Sequence, residues 1–371
     1  NVLSGGAISI PVGMVIGVVS ILAYTLFGGM WSVAVTDFIQ MIVLVGGLAI
    51  LAVFAGQMAG GADKVLSLAV SRDLFKFWPE PSFKDIVFFF ADDQRYDTLG
   101  VAGHPIVQTP TIDRLAQDGV RFSNAFVTTA VCWVSRSVVL TGQWARSHAQ
   151  RDAIPRVTPA ALGTIFPVQL RAAGYRTGHF GKWHMQAPPG FNPAAQFDRY
   201  EAIGRNPYLK PQADGTTRHE TDLVADRAIE FLQTQPKGQP FSLNLWFNAA
   251  HAEDNDRRPG VGHYPWPPSV DGLYEDRTIA PPRLSDPAIY DRHPDFLKQS
   301  INRERFFWSY DTPEKYQTNV RAYLRMISGI DRAVGRVVAA LERAGFADNT
   351  INVYSADNGY YLGDRGFQGK W

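Results

Sequence analysis

The chain has 371 residues, with 36 Lys and Arg against 35 Asp and Glu and a formal net charge of +1. That length holds one large domain or two smaller ones, and the charge balance excludes a global basic field of the kind nucleic acid demands. The balance is uneven along the chain: there is no charged residue from Asn1 to Thr36, and none again from Phe38 to Ala62.

Within that uncharged region, Ala7–Phe27 and Phe38–Ala55 are two apolar runs, each near the roughly 20 residues that cross a bilayer core. Pro11, Gly13 and Gly17 are better tolerated there than in a helix of a water-soluble protein. Two transmembrane helices are therefore expected within residues 1–62, followed by a linker over 63–84 broken by Pro79 and Pro81. Lys64, Arg72 and Lys76 after the second run weigh toward a cytoplasmic face for that side. The stretch AYTLFGGMWSVAVTDFIQ, Ala23–Gln40, resembles the signature of the sodium:solute symporter family. Members of that family build their binding site between many helices, so two helices imply an origin rather than a transport activity.

From Asp85 the pattern becomes alternating strands and helices. DIVFFFA, Asp85–Ala91, is a continuous apolar run of the sort found in strands covered on both faces. A capped helix is expected over Thr111–Asp118 and another over Thr164–Ala173, the latter closed by Gly174. A strand follows over Tyr175–Phe180, then a helix over Thr221–Thr234 and a strand over Phe241–Ala249. Thr318–Ala344 reads as a long amphipathic helix and Thr350–Ser355 as a further buried strand. Arg257–Pro313 is Pro-rich, lacks periodicity and is expected to be a long surface excursion. Repeated βα units predict an α/β fold with a mostly parallel sheet flanked by helices, whose ligands sit beyond the carboxyl ends of the strands.

Residues with chemistry gather at those strand ends. Asp92 and Asp93 follow the first strand, and Asp357 and Asn358 follow the last; oxygen donors from two strand ends suit a hard cation such as Ca²⁺ or Mg²⁺. Lys182 and His184 close the Tyr175–Phe180 strand and, two apart on one extended segment, are expected to face the same side. His251 follows the Phe241–Ala249 strand, and Lys370 lies just past the acidic pair. Cys132 is the only cysteine, so it is either a small buried hydrophobe or a reactive group. Arg136 follows four residues later, and a helix opening at Cys132 would aim its amides at an anion. His104, His148, His179, His219, His263 and His293 lack such context and are expected to be structural, and Trp31, Trp78, Trp144, Trp246, Trp266 and Trp308 to be packing residues.

Four ordered blocks then resemble the sulfatase family, which has an alkaline-phosphatase-like fold. They are Ala91–Phe126, CWVSRSVVLTG from Cys132, GYRTGHFGKWH ending at His184, and SADNGYYLGDRGFQGKW ending at Trp371. The resemblance implies hydrolysis of a sulfate monoester on a sulfated small molecule or glycan. Cys132 would be oxidised to formylglycine by a formylglycine-generating enzyme, and a Ca²⁺ would be held by Asp92, Asp93, Asp357 and Asn358. It further implies that Arg136 steadies the group at 132, that Lys182 and Lys370 bind sulfate oxygens, and that His184 and His251 handle protons. An extracytoplasmic location is expected of the family, with attachment to a membrane through the two N-terminal helices. Val134 stands where the maturation signature has Pro or Ala, and Arg365 where the family often has His. Family members continue past the point matching Trp371, so a C-terminally truncated catalytic domain over 85–371 is expected, with an open sheet edge. The junction of the two resemblances falls within Lys84–Ala91, which points to a fusion or an assembly error. Phosphate or phosphonate monoester hydrolysis is the alternative chemistry, and an inactive membrane-anchored fusion of symporter and sulfatase pieces the alternative outside catalysis.

Overall fold

A computed structural model of the chain describes residues 84–147, 156–259 and 262–370. The expected transmembrane segments and linker lie outside these residues; among those described, no helix is long and apolar enough to cross a membrane.

The elements that position the site are four parallel strands and the helices packed on them. Strand β1 is Asp85–Ala91. Helices α1 (Pro110–Gln117), α2 (Cys132–Thr141), α3 (Pro159–Leu162) and α4 (Phe166–Ala172) follow. Next come β2 (Arg176–Gly181) and three short strands, β3 (Arg199–Ala202), β4 (Leu209–Pro211) and β5 (Thr217–His219). Helix α5 (Glu220–Gln233) leads into β6 (Phe241–Trp246). The short helices α6 (Pro287–Asp291), α7 (Asp295–Lys298) and α8 (Ile301–Ser309) precede the 32-residue α9 (Pro313–Ala344) and β7 (Thr350–Ala356).

The main sheet has the order β3-β2-β6-β1-β7, and every neighbouring pair is parallel. The apolar run in β1 has the expected reason. Val87, Phe89 and Ala91 pack into the core formed with α5 and α9, while Phe88 and Phe90 face the smaller core formed with α2, α3 and α4. Burying both faces leaves no place for a polar residue until the strand ends, which is where Asp92 begins.

Several expectations are corrected. β7 is not a buried strand: it is the edge of the sheet, and Ile351 and Val353 are exposed. β6 ends at Trp246 rather than Ala249, and the chain bends through the following residues. The 257–313 segment is more than a surface excursion, because it holds three short helices and sends Tyr264, Val270 and Tyr274 into the interior. Its apolar residues are spaced irregularly, so no period revealed them. Strands β3, β4 and β5 were not anticipated either; at three or four residues each they carry too few positions to show alternation.

Candidate active site

The site is assembled at the carboxyl ends of β1, β2, β6 and β7 and at the amino end of α2. Asp92 and Asp93 continue β1, and both are fully buried. Asp93 takes a left-handed backbone with φ of 56°, a conformation that a non-glycine residue holds only when its surroundings impose it. Its carbonyl accepts a 2.8 Å hydrogen bond from the Tyr323 hydroxyl of α9. Asp357 and Asn358 continue β7 and are equally buried. The Asn358 amide donates to Asp93 Oδ1 and to Asp357 Oδ1, each at 2.7 Å, and the Asp93 amide donates to Asp357 Oδ1 at 3.2 Å.

Cys132 opens α2, as the anion-favouring reading required, with Val131 extended at the N-cap and no side chain capping the turn. Its thiol sits 3.3 Å from Asp92 Oδ1, 4.0 Å from Asp93 Oδ1 and 3.8 Å from Asn358 Oδ1. One ligating atom each from Asp92, Asp93, Cys132 and Asp357 lies within 4.8 Å of all the others. Burial, then the Asp92 and Asp357 carboxylates, push the thiol well above its ordinary value, so an unmodified Cys132 stays protonated and is a poor nucleophile here.

Three cations meet the three carboxylates. Arg136, one helical turn after Cys132 and fully buried, donates from Nε to Asp357 Oδ2 at 2.8 Å and from Nη1 to the Lys182 carbonyl at 3.3 Å. Its guanidinium also lies over the rings of Phe90 and Trp246, at 5.1 and 5.2 Å from their centroids. Lys182 follows β2 and pairs with Asp92. It gets there because Gly181 adopts φ of 109°, where a side chain would collide with the Trp246 carbonyl. Lys370 grips both oxygens of Asp93, at 2.6 and 2.7 Å.

These charges divide the carboxylates. Burial works against an ionised Asp92, but the charges of Lys182, Lys370 and Arg136 hold it well below the usual range. Burial pushes Asp93 up to about 7; Lys370 opposes this, while Asp92 and Asp357 add to it. Burial and the neighbouring Asp92 also raise Asp357. Carboxylates crowded this way are expensive unless a cation joins them.

His251 follows β6 by five residues. Its Nδ1 lies 2.7 Å from the Ala252 carbonyl, which makes Nδ1 the donor and leaves Nε2 facing Asp93 Oδ2 at 3.6 Å. Burial and then Lys370 depress its pKa, so the ring is neutral in this arrangement. His184 departs from its expected placement. The strand has already ended at Gly181, and His184 has φ of 50°, so it is not the second same-face residue of an extended segment. The residue is exposed, its ring meets the Trp133 ring edge-on at 5.9 Å, and desolvation followed by the Lys182 charge lowers its pKa to about 3.

A family model described as Sulfatase matches residues 84–371, and one described as Sodium:solute symporter family matches residues 5–80. The first covers most of the chain. The chain belongs to the sulfatase family. An N-acetylglucosamine-6-O-sulfatase of Bacteroides thetaiotaomicron is 27% identical over 341 residues, covering 77% of this chain and 60% of that protein. Arylsulfatase A of Homo sapiens is 29% identical over 318 residues, covering 81% of this chain and 56% of its own. This chain thus spans about three fifths of the length of these sulfatase relatives. Among solved structures, a protein in complex with its substrate D-glucosamine-2-N,6-O-disulfate is similar with a TM-score of 0.55 and 26% identity, over 77% of this chain and 67% of that one. A phosphonate monoester hydrolase of Agrobacterium radiobacter shares the fold with a TM-score of 0.62 at 21% identity, over 77% of this chain and 65% of that one.

Within the sulfatase domain, nine of the ten expected site residues converge, with His184 at the rim. Sequence reasoning missed the aromatic floor of Phe90 and Trp246 under Arg136. From sequence Trp246 is expected only to pack, and nothing in a strand pattern marks a ring as a cation's neighbour. Trp144 was also expected to pack and is exposed instead. The histidines set aside as structural fit that role where described: His219 accepts from the Thr221 amide at 3.2 Å and caps α5, while His179 is enclosed by aromatic rings. His148, Trp31 and Trp78 lie outside the described residues.

Proposed function

We propose that this chain hydrolyses a sulfate monoester of a small molecule or glycan, with Cys132 converted to formylglycine and a Ca²⁺ at Asp92, Asp93, Asp357 and Asn358. The observation that carries the reading is the position of Cys132. Its side chain opens a helix and rests against the buried oxygens of Asp92, Asp93 and Asn358. The donor set fits a hard dication: three carboxylates and a carboxamide, all buried, all oxygen. Charge supports it as well. Asp92, Asp93 and Asp357 are balanced by Arg136, Lys182 and Lys370, so a dication leaves the site positive and selective for an anion.

Bound Ca²⁺ supplies charge neutralisation and a lowered pKa for the attacking hydroxyl. Formylglycine at 132 would supply an aldehyde hydrate as the nucleophile, whose second hydroxyl would allow sulfate to be released without hydrolysis of a stable ester. The protein's own groups do the rest. Arg136, pinned by Asp357 and its two rings, fixes the side chain at 132. Lys182 and Lys370, which pair with Asp92 and Asp93, would bind the ester's sulfate oxygens. His251 presents Nε2 to the leaving oxygen, and the incoming anionic ester raises its proton affinity. His184, at the mouth, handles the proton of the hydrate.

Residues 85–371 are the catalytic domain in this reading. Residues 1–62, which overlap the symporter-family match over 5–80, form two membrane helices in this reading, and the 63–84 linker connects them to the catalytic domain. A phosphonate monoester is the second substrate reading, favoured by the fold shared with a phosphonate monoester hydrolase. The test is the mass of tryptic peptide Phe122–Arg136 after co-expression with a formylglycine-generating enzyme, followed by turnover of 4-nitrophenyl sulfate against a phosphonate monoester. Formylglycine at 132 with sulfate turnover supports the reading. An unmodified Cys132, with neither ester hydrolysed, supports an inactive membrane-anchored fusion.

A further inference from the structure

Glu220 is a fully buried carboxylate with no cation among its partners in the described residues. It occupies the first turn of α5, where the helix dipole favours an anion, but only one of its side-chain bonds stays within that helix, the Thr221 hydroxyl donating to Oε1 at 3.0 Å. Oε1 accepts from the backbone amides of Asn248 and Ala249, at 3.2 and 3.0 Å, and Oε2 from Asn248 Nδ2 at 3.3 Å. These residues form the bend between the end of β6 and His251. The opposite side of the bend is held by Tyr208, whose hydroxyl lies 2.9 Å from the Asn248 carbonyl and 2.6 Å from the His251 carbonyl. The two clamping residues are themselves joined, since the Glu220 amide donates to the Tyr208 carbonyl at 2.9 Å. The bend also brackets the β1 end: the Asp92 amide donates to the Ala249 carbonyl at 2.9 Å, and the Ala250 amide to the Asp92 carbonyl at 2.7 Å.

A buried carboxylate with no cation hydrogen-bonded to it is costly; the Lys210 charge acts on this one through space, and burial still pushes it up to about 7 despite its hydrogen bonds. A neutral side chain could cap α5 at lower cost. What only an acceptor with two oxygens does here is gather two consecutive amides and a side-chain amide of one bend.

We infer that Glu220 and Tyr208 are positioning residues that clamp the 248–251 bend from its two sides and aim His251 Nε2 at the leaving oxygen. The inference rests on the sulfate ester reading of the site. Neither residue touches the reacting atoms; both act through His251. A leaving group that departs unaided barely needs a correctly aimed proton donor, whereas a basic one needs it strongly.

The experiment uses the full chain and compares kcat/KM for 4-nitrophenyl sulfate and phenyl sulfate in wild type, Glu220→Gln and Tyr208→Phe. Amide exchange of residues 247–254 is followed by mass spectrometry on the same samples. Gln keeps the shape of Glu but sets an amide donor against Asn248 Nδ2. For Glu220→Gln, phenyl sulfate turnover is expected to fall at least about tenfold and 4-nitrophenyl sulfate turnover less than about threefold. Exchange in 247–254 rises while that of β1 does not. Equal losses on both esters, or unchanged exchange, overturn the inference. If Glu220→Gln does not fold, Tyr208→Phe, which leaves the carboxylate in place, must show the same ester-dependent split, and its absence overturns the inference too. Should wild type turn over neither ester, the hydrolase reading fails, and the exchange data still decide whether Glu220 holds the bend.

Discussion

His179 offers a stability test whose sign and size follow from its surroundings. It lies in β2 with no exposed surface, ringed by Trp246, Trp183, Phe197 and Tyr200 at centroid distances of 5.1, 5.2, 5.3 and 5.4 Å. Neither ring nitrogen has a hydrogen-bond partner among the described residues. Burial, and secondarily the Arg136 charge, lower its pKa from 6.5 to about 3. Unfolding therefore takes up a proton wherever the pH is below 6.5 and above about 3. The stability held with a neutral ring is complete above the upper value and drains as pH falls toward the lower one. Between pH 6.5 and pH 5 lie about one and a half units, each worth about 1.4 kcal/mol, so some ~2 kcal/mol is lost through this residue by pH 5. His179→Phe keeps a flat ring in the aromatic box and removes both the titration and two unsatisfied nitrogens. Its added volume costs at most about 1–3 kcal/mol, and that cost is the same at every pH. Urea unfolding of both proteins in detergent, read by tryptophan fluorescence at pH 7.5 and pH 5, isolates the term by difference. The gap between variant and wild type is expected to move by about 2 kcal/mol in favour of the variant on acidification. Parallel stability losses would mean that the ring is hydrated or partnered in solution and that the reasoning fails.

Other expectations are simpler. Asp357→Ala removes both a proposed cation ligand and the acceptor of Arg136 Nε, so the thermal shift between Ca²⁺ and EDTA should disappear in a melting assay. Retention of that shift would place the ion elsewhere. Arg136→Lys keeps the charge but loses the fork and the ring contacts, so kcat/KM on 4-nitrophenyl sulfate should fall by about 10² or more, and a fall under threefold would deny the residue its role. Phe231→Ala opens a fully buried site against Phe180 and Phe241 and should cost about 3–5 kcal/mol by urea unfolding; a cost below about 1 kcal/mol would mean the helix α5 interface is loose.

Most of the fold is legible in the sequence. β1 declared itself by seven residues with no interior polar position, α9 by its amphipathic period, and the order of βα units by the right-handed parallel rule. The site residues were legible for the same reason. In strands covered on both faces, charge must wait for the strand ends, so Asp92, Asp93 and Lys182 fall where chemistry is expected, and Asp357 and Asn358 follow the edge strand β7 at the same end of the sheet. What a linear pattern does not carry is direction and partnership. The exposure of β7 depends on which strand lies at the edge, and sheet order is set by packing between segments hundreds of residues apart. The turn that takes His184 to the rim follows from a left-handed residue after Gly181, not from strand alternation. Trp246 under Arg136 and Glu220 under the 248–251 bend are contacts between separate elements, with no spacing to announce them. Local sequence determined which residues could do chemistry here, because burial forbids charge within the strands. Only the tertiary structure decided which of them meet, because the electrostatics that pairs them acts through space and not along the chain.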